Sequence, residues 1–248
     1  MKKLLTCVSL AVLTAAPALA QPGEQQLLLM DLPTAATLER GSFAIDLRMF
    51  GNGGLLTGLT IGITPRFTIG LSYGGENFIG SGSVDWNSQP GIQARARLID
   101  ESLVMPAITL GFDSQGFGPY NDEFKRYQIK SRGIFAVASK NYRVFHNLGL
   151  HGGLNYSLET DDDDKDLNLF FGASLSFNRE FHFLFEYDLA RNDNNNPNQF
   201  GSGDGYMNLG LLWTLSERFY LQFYFKDILK NGLPDSSREF KIGYYEYF

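Results

Sequence analysis

Three groups of residues in this sequence have side chains that could do chemistry. The first is made of the three histidines, His146, His151 and His182. Each could serve as the base of a hydrolytic site, which also needs a nucleophile and an orienting group within hydrogen-bond reach. The histidines therefore raise a hydrolase as one hypothesis, and the elements that carry them must decide it.

The second group is the acidic run Asp161, Asp162, Asp163 and Asp164. Hard cations such as Ca²⁺ take carboxylate oxygens, and such ions could also bridge the run to lipopolysaccharide. The run lacks the spaced Asp-x-Asp-x-Asp-Gly order of a calcium loop, and a block of like charges is usually a solvated surface. We favour the solvated surface, so no metal site is predicted and these four aspartates are the residues to examine for divalent ions.

The third group consists of charged residues that alternate with apolar ones. Arg95 and Arg97 form one such pair, and Glu186 and Asp188 form another. If the two pairs face each other inside a barrel, they could make a transverse field that orients polar solutes. The alternative is that the long side chains bridge a narrow interior with salt bridges and hydrogen bonds. We slightly favour a filled or very narrow interior.

The elements that position these residues are predicted to be strands. The chain has 248 residues, 14% of them aromatic and 27 of them glycine, a composition that suits pleated strands and tight turns better than long helices. Its net charge of -6 argues against a nucleic-acid partner, which needs clustered lysine and arginine. A period of two predicts twelve strands, over residues 42–49, 55–63, 67–73, 92–98, 104–112, 132–140, 148–158, 167–178, 181–189, 207–215, 219–225 and 240–244.

The strands fit a transmembrane antiparallel up-and-down β-barrel better than a secreted sandwich. The connections alternate between short turns, such as residues 64–66, and long loops, such as residues 113–131. Short periplasmic turns with longer extracellular loops are typical of bacterial outer-membrane barrels, and so is an even strand number. The faces opposite the apolar stripes are rich in glycine, serine, threonine and asparagine, as in a hydrated lumen.

The end of the chain supports this fold class. Phe248 closes the sequence on the same face of the last strand as Phe240, Ile242 and Tyr244. A terminal phenylalanine after an amphipathic strand resembles the signal read by the barrel assembly machinery, although Glu246 stands where a hydrophobic residue is usual. We expect contact with that machinery during insertion, and with membrane lipid and lipopolysaccharide afterwards.

Closing the barrel should bring the first and last strands together. Asp46 and Arg48 would then neighbour Glu239 and Lys241, and cross-strand pairs between them would fix the closing register. The same strand assignment places the histidines toward the periplasmic end. Lipid hydrolases of the outer membrane act at the opposite end, so we predict no catalytic residues.

The N-terminal residues predict export. A basic start, an apolar run and Ala18-Leu19-Ala20 indicate a signal peptide over residues 1–20, cleaved after Ala20. Residues 21–40 show little alternation and are predicted to be a periplasmic arm or a partial plug, and residues 41–248 to be the barrel. The predicted location is the outer membrane of a Gram-negative bacterium.

Several short motifs resemble the YjbH family of outer-membrane proteins, which belong to exopolysaccharide and group 4 capsule operons. The resemblance covers roughly residues 30–158 and corresponds to the first barrel unit of that longer family. Its motifs are Met30-Asp31-Leu32-Pro33-Thr34-Ala35, Leu38, Gly41-Ser42-Phe43, Pro90-Gly91-Ile92, Met105-Pro106-Ala107-Ile108, Gly111-Phe112, Ala136-Val137-Ala138-Ser139-Lys140 and Leu148-Gly149-Leu150.

These observations leave three functional hypotheses. The leading one is a non-enzymatic, YjbH-like barrel without a cofactor, associated with polysaccharide export or envelope organisation and with polysaccharide or export-system proteins as partners. The alternative is a small porin-like channel for polar solutes. An outer-membrane lipid hydrolase is the third.

Overall fold

The computed structural model describes residues 26–194, 200–232 and 237–248, and nearly all of its regular structure is strand. A 3-10 turn covers Arg191–Asp193. The strands are β1 (Ser42–Phe50), β2 (Gly54–Thr64), β3 (Phe67–Glu76), β4 (Asp85–Trp86), β5 (Gly91–Ile99), β6 (Ala107–Asp113), β7 (Phe117–Asn121), β8 (Arg126–Ile129), β9 (Gly133–Tyr142), β10 (Asn147–Tyr156), β11 (Asn168–Ser176), β12 (Phe181–Asp188), β13 (Tyr206–Ser216), β14 (Phe219–Lys226) and β15 (Ser237–Tyr247). The predicted signal peptide lies outside the described residues.

Twelve of these strands form a closed antiparallel barrel, which confirms the predicted fold class. Each long strand pairs with its neighbours along the chain, and β1 pairs with β15 from Ser42↔Tyr247 to Met49↔Phe240 to close the ring. The short strands β4, β7 and β8 lie within long connections and were not predicted. Strands β7 and β8 pair with each other as a separate hairpin.

Several predicted strand bounds were wrong by two or three residues, among them those of the third, fifth, seventh, eighth and twelfth strands. The fifth strand begins at Ala107 and not at Val104, because Ser102 N donates to Met105 O and closes a turn there. The proline that follows this turn has no N–H to add to a ladder. The seventh strand ends at Tyr156 and not at Leu158.

The two ends of the barrel differ. One end, called here the turn end, carries the short connections and is where β1 begins and β15 ends; Phe248 N donates to Gly41 O there at 2.8 Å. The other end, called the loop end, carries the long connections, including the β7–β8 hairpin. Among the described residues no helix is long and apolar enough to span a bilayer.

The strands alternate between an apolar outer face and a largely polar inner face. Large apolar side chains are exposed on the outside of strands around the ring, for example Leu71, Ile92, Phe183 and Phe225, each of them more than half exposed. This is the reverse of a soluble protein, which does not expose a continuous apolar belt.

Apolar cores lie inside the barrel, and a segment before β1 makes them possible. We call residues 26–38 the plug. Leu32 and Ala35 of the plug pack with the barrel residues Ala107, Phe135, Val137 and Phe170. Leu29 and Met30 pack with Leu184, Leu212 and Tyr224 of the barrel. The plug therefore occupies the lumen and gives the barrel an interior like that of a globular protein.

Candidate functional site: the plugged lumen

The plug folds back on itself within the lumen. Leu29 N donates to Leu32 O at 2.9 Å, and Thr34 N donates to Leu27 O at 3.0 Å. The Thr34 hydroxyl donates to Gln26 O at 2.5 Å, so a β-branched polar side chain closes the turn. This compact turn presents a row of backbone N–H groups to the barrel wall.

Glu186 of β12 receives that row of donors. Its carboxylate accepts the backbone N–H groups of Met30 and Asp31 at 3.1 Å and of Leu32 at 3.0 Å. The side-chain amide of Asn208 donates to the same carboxylate at 2.6 Å. Glu186 is fully buried. A buried carboxylate must have hydrogen-bond donors for its acceptor sites, and buried N–H groups need acceptors. The plug N–H groups and the Glu186 carboxylate therefore satisfy each other's hydrogen bonds.

A buried ion cluster fixes the plug to the seam between the first and last strands. The Asp31 carboxylate lies 2.8 Å from Arg48 of β1 and 2.6 Å from Lys226 of β14. Glu239 of β15 completes the cluster at 2.5 Å from Arg48 and 3.5 Å from Lys226. We call these four residues the seam cluster. Its two cations and two anions are nearly inaccessible to solvent, so each depends on the others.

The plug is also bonded at Ala35. The Ala35 carbonyl accepts from the Thr109 hydroxyl at 2.8 Å and from Arg97 Nε at 3.1 Å. Ala35 N donates to the Ser139 hydroxyl at 2.8 Å. Nearby, Arg95 Nη1 donates to Leu27 O at 2.8 Å. Barrel strands on several sides of the lumen thus bond to the same short segment.

The four predicted lumen charges all point inward, yet they do not meet across the lumen. Arg95 and Arg97 bond to plug carbonyls, and Glu186 bonds to plug amides. Asp188 pairs with Arg132 and accepts from the Asn168 amide at 2.6 Å. These four residues therefore make no direct bridge between the walls, because the plug lies between them.

The predicted closing residues do come together. Arg48 stands opposite Lys241 in the β1–β15 register. Their ion pairs run diagonally, with Lys241 Nζ 3.3 Å from Asp46 Oδ1 and Arg48 2.5 Å from Glu239. Sequence reasoning missed Asp31 and Lys226, which complete this cluster. A carboxylate within the otherwise apolar run Leu27–Leu32 was the available signal for Asp31.

The predicted assembly-signal residues lie on the last strand and just beyond it. Phe240, Ile242 and Tyr244 are on β15, Tyr244 is exposed, and Phe248 is the most exposed of them. The rings of Phe248 and Phe43 lie 5.2 Å apart. Recognition of these residues by assembly machinery stays a prediction.

Two histidines contact serines at places where the barrel wall lies against the plug. His151 Nδ1 lies 2.8 Å from Ser139 Oγ, and its Nε2 lies 3.3 Å from Ser174 Oγ. A hydrolase needs an orienting carboxylate or amide at that second nitrogen. Ser139 is buried, and its hydroxyl oxygen also accepts the plug N–H of Ala35 at 2.8 Å. His182 Nδ1 lies 2.7 Å from Ser176 Oγ, beside the same side of the plug.

The interpretation of the acidic run as a solvated surface was wrong for Asp162 and Asp164, whereas Asp161 and Asp163 are exposed as it predicted. Asp162 lies 2.5 Å from Arg126 of the β7–β8 hairpin and 2.8 Å from Lys130, and its side chain is buried. Asp164 is also buried, whereas Asp161 makes an exposed pair with Lys125. Arg126 of the hairpin and Lys130, which directly follows it, therefore both bind this loop. In the parts of the chain that the structure describes, no three metal-ligating side chains converge.

Charged groups around the hairpin have shifted pKa values. Burial lowers the pKa of Arg126, but the carboxylates of Asp193 and Asp162 outweigh burial and raise it. Burial raises the pKa of Glu159 to about 7, although the N–H groups of Ser131 and Tyr127 donate to its carboxylate. The hairpin is thus bound to the neighbouring loop by the ionised guanidinium of Arg126 and by the titratable carboxylate of Glu159.

A cavity of about 910 Å³ remains beside the plug. Small residues of β2 and β3 form one wall of the cavity: Gly58, Thr60, Gly70 and Ser72. The cavity runs from exposed residues at the turn end, such as Arg218, to Gln115 and Phe117 of the long β6–β9 connection. The lumen is therefore filled on one side and hollow on the other.

The site belongs to the class of closed β-barrels with an occupied lumen, and comparison with solved structures finds similar barrels. The chain is similar to the KdgM porin, with a TM-score of 0.49 and 11% identity over 84% of this chain and 99% of that one. It is similar to the NanC porin, with a TM-score of 0.46 and 10% identity over 83% and 99%. The channel DcaP of Acinetobacter baumannii gives a TM-score of 0.32 and 8% identity over 85% and 100%. No protein-family model and no curated protein matches the chain.

Proposed function

We propose that this protein is an outer-membrane barrel with a porin-like function, which lets small polar solutes pass along the hollow side of its lumen. The observation that carries this proposal is the cavity beside the plug. Its wall combines small residues with charged and polar side chains, a surface that water and hydrated solutes can wet.

The outer surface supports the location. Exposed apolar side chains surround a barrel whose backbone hydrogen bonds are closed on themselves, which is the arrangement that lipid requires. Aromatic pairs accompany this belt near both ends, with Tyr73 stacked on Trp86 toward the loop end and Phe181 stacked on Trp213 toward the turn end. Aromatic girdles at the two membrane interfaces are typical of outer-membrane barrels.

The proposal is tested by conductance of the purified protein in planar bilayers, with a reagent that blocks the cavity. In a Cys7→Ser background, Thr60→Cys puts a thiol on the buried cavity wall. Thr57→Cys puts one on the opposite, exposed face of the same strand. We expect a methanethiosulfonate reagent to lower the conductance of the Thr60→Cys variant and to leave that of the Thr57→Cys variant unchanged.

Two results would contradict the proposal. One is folded protein that shows no conductance before modification. The other is an equal change in the conductance of both variants after reaction with the reagent, because it would mean that ions do not cross along the wall of β2.

The association with exopolysaccharide that the YjbH-like resemblance implies stays a prediction, as do polysaccharide or export-system partners and contact with lipopolysaccharide. The prediction that the protein is not an enzyme is likewise still to be tested by a lipid hydrolysis assay.

A further inference from the structure

We propose that Gln115 and Phe117 form the filter of this path and that the filter selects solutes by size and not by charge. The inference rests on the proposed porin-like function and names the residues that limit the passage of solutes. Both side chains lie where the cavity meets the loop end, and Gln115 is buried while Phe117 is half-buried.

Gln115 is held in place by three hydrogen bonds. The Ser72 hydroxyl donates to Gln115 Oε1 at 2.8 Å, and Gln115 Nε2 donates to Gly116 O at 2.7 Å. Gln115 N donates to Asp113 Oδ1 at 2.9 Å. The backbone of Gly91 lies so close that an added Cβ would be 2.7 Å from Gln115 Oε1. Such close packing fixes the side chain across the end of the cavity.

Phe117 is fixed from the opposite side by cations of the seam cluster. The Arg48 guanidinium carbon lies 4.4 Å from the centre of its ring, and Lys226 Nζ lies 4.7 Å away. Cations at these distances from a ring face attract it, and more strongly where water is excluded. The filter residues are therefore anchored to β3 on one side and to the seam on the other.

The charges around the filter are balanced. In the seam cluster, Arg48 and Lys226 are matched by Asp31 and Glu239. Ions that approach Phe117 consequently meet a neutral set of four charges.

Two further charged groups near the filter, Lys241 and Asp113, have a group of opposite charge on the same or the neighbouring strand. Lys241 pairs with Asp46 on the cavity wall. Asp113 of β6 accepts from Gln93 Nε2 at 3.0 Å. The cation Arg95 lies two residues from Gln93 on the same face of β5, which pairs with β6. A matched set of charges gives little preference between anions and cations, so the width of the opening is left to decide what passes.

The test compares Gln115→Ala, Phe117→Ala and the control Phe124→Ala. Phe124 lies in the turn of the same hairpin, but its ring packs on Phe200, away from the cavity wall. Conductance in planar bilayers is measured with polyethylene glycols of graded size and with a KCl gradient. Each variant is first checked for folding by its shift on an unheated gel.

We expect both filter variants to raise conductance by roughly twofold or more and to admit larger polymers. The control should behave like the wild type, and the reversal potential of the wild type should stay near zero. Two filter variants, at separate anchors, keep the test valid if one of them fails to fold.

Three results would overturn the inference. If the wild type conducts and neither filter variant changes its conductance or size limit, the filter is elsewhere while the porin-like function stands. A reversal potential that shows strong preference for K⁺ or Cl⁻ would contradict selection by size. If the wild type and all variants fail to conduct, the proposed function is wrong, and the filter with it.

Discussion

The two sides of the lumen are built from the same alternating strands, yet one is filled and the other is hollow. On the filled side, large residues such as Phe135, Phe170 and Leu184 point inward and pack on the plug. On the hollow side, the inward positions of β2 and β3 hold Gly58 and Gly70 among other small residues. The comparison shows that the size of the inward side chains, and not the backbone geometry of the barrel, decides where the lumen is hollow.

The largest loss of stability is expected when the ion pairs between the plug and the seam are removed. Asp31→Ala removes one of the two carboxylates that neutralise Arg48 and Lys226, and the buried positive charge that is then uncompensated costs about 3–5 kcal/mol. The free energy of unfolding, measured by urea titration in detergent micelles, should fall by that amount. Asp161→Ala is the control, because its pair with Lys125 is exposed and contributes less than about 1 kcal/mol. Equal losses in the two variants would mean that the seam cluster does not stabilise the fold.

The next effect tests whether the filled side is a true core. Leu32 of the plug is 1% exposed, and its truncation in Leu32→Ala should cost about 2–5 kcal/mol through lost burial and the cavity left behind. Leu71→Ala makes the same change on the outer face, where the side chain is 58% exposed, and should cost much less. The same urea titrations compare them, and a larger loss for Leu71→Ala would overturn the assignment of the core to the lumen.

A third effect concerns the hairpin at the end of the hollow side. The pKa of Glu159 is raised from 4.5 to about 7 in the folded protein, so between these values the folded state holds a proton that the unfolded state has released. Stability from this group is therefore lost as the pH rises from about 4.5 to about 7, by on the order of 3 kcal/mol.

Thermal unfolding across this range measures the effect against Glu159→Gln. Both N–H donors bond to Oε2 of Glu159, so the amide oxygen of glutamine can still accept them. We expect the variant to lose this part of the pH dependence, and an unchanged profile would assign it to another group.

The smallest effect compares matched serines on the two sides of the lumen. Ser139→Ala leaves the buried Ala35 N–H of the plug without its acceptor, at a cost of about 1–3 kcal/mol. Ser72→Ala removes the bond to Gln115 beside the hollow side, where water can replace it, at a cost of about 1 kcal/mol or less. Urea titration should rank them in this order, and the reverse order would contradict the contrast between the sides.

The period of two in the sequence was sufficient to predict the closed barrel, because a lipid-facing strand must alternate. It also predicted the neighbours at the seam, since Asp46 and Arg48 could meet Glu239 and Lys241 only if the ring closes. The plug contacts could not be predicted, because residues 26–38 have no period and their partners lie on strands far along the chain. A charge count likewise gave no sign that Asp162 would turn inward, which depends on Arg126 being carried into the loops by the hairpin.

The seam cluster also has a consequence for the order of folding. Arg48 and Glu239 are 191 residues apart in the chain, and Asp31 lies before both of them. Contacts so distant in sequence cannot form until nearly the whole chain is present. The entropy cost of closing long loops therefore arises before most of the stabilising contacts form. We therefore expect folding to be slow and cooperative, with the ion cluster forming only when every strand is in its place in the ring.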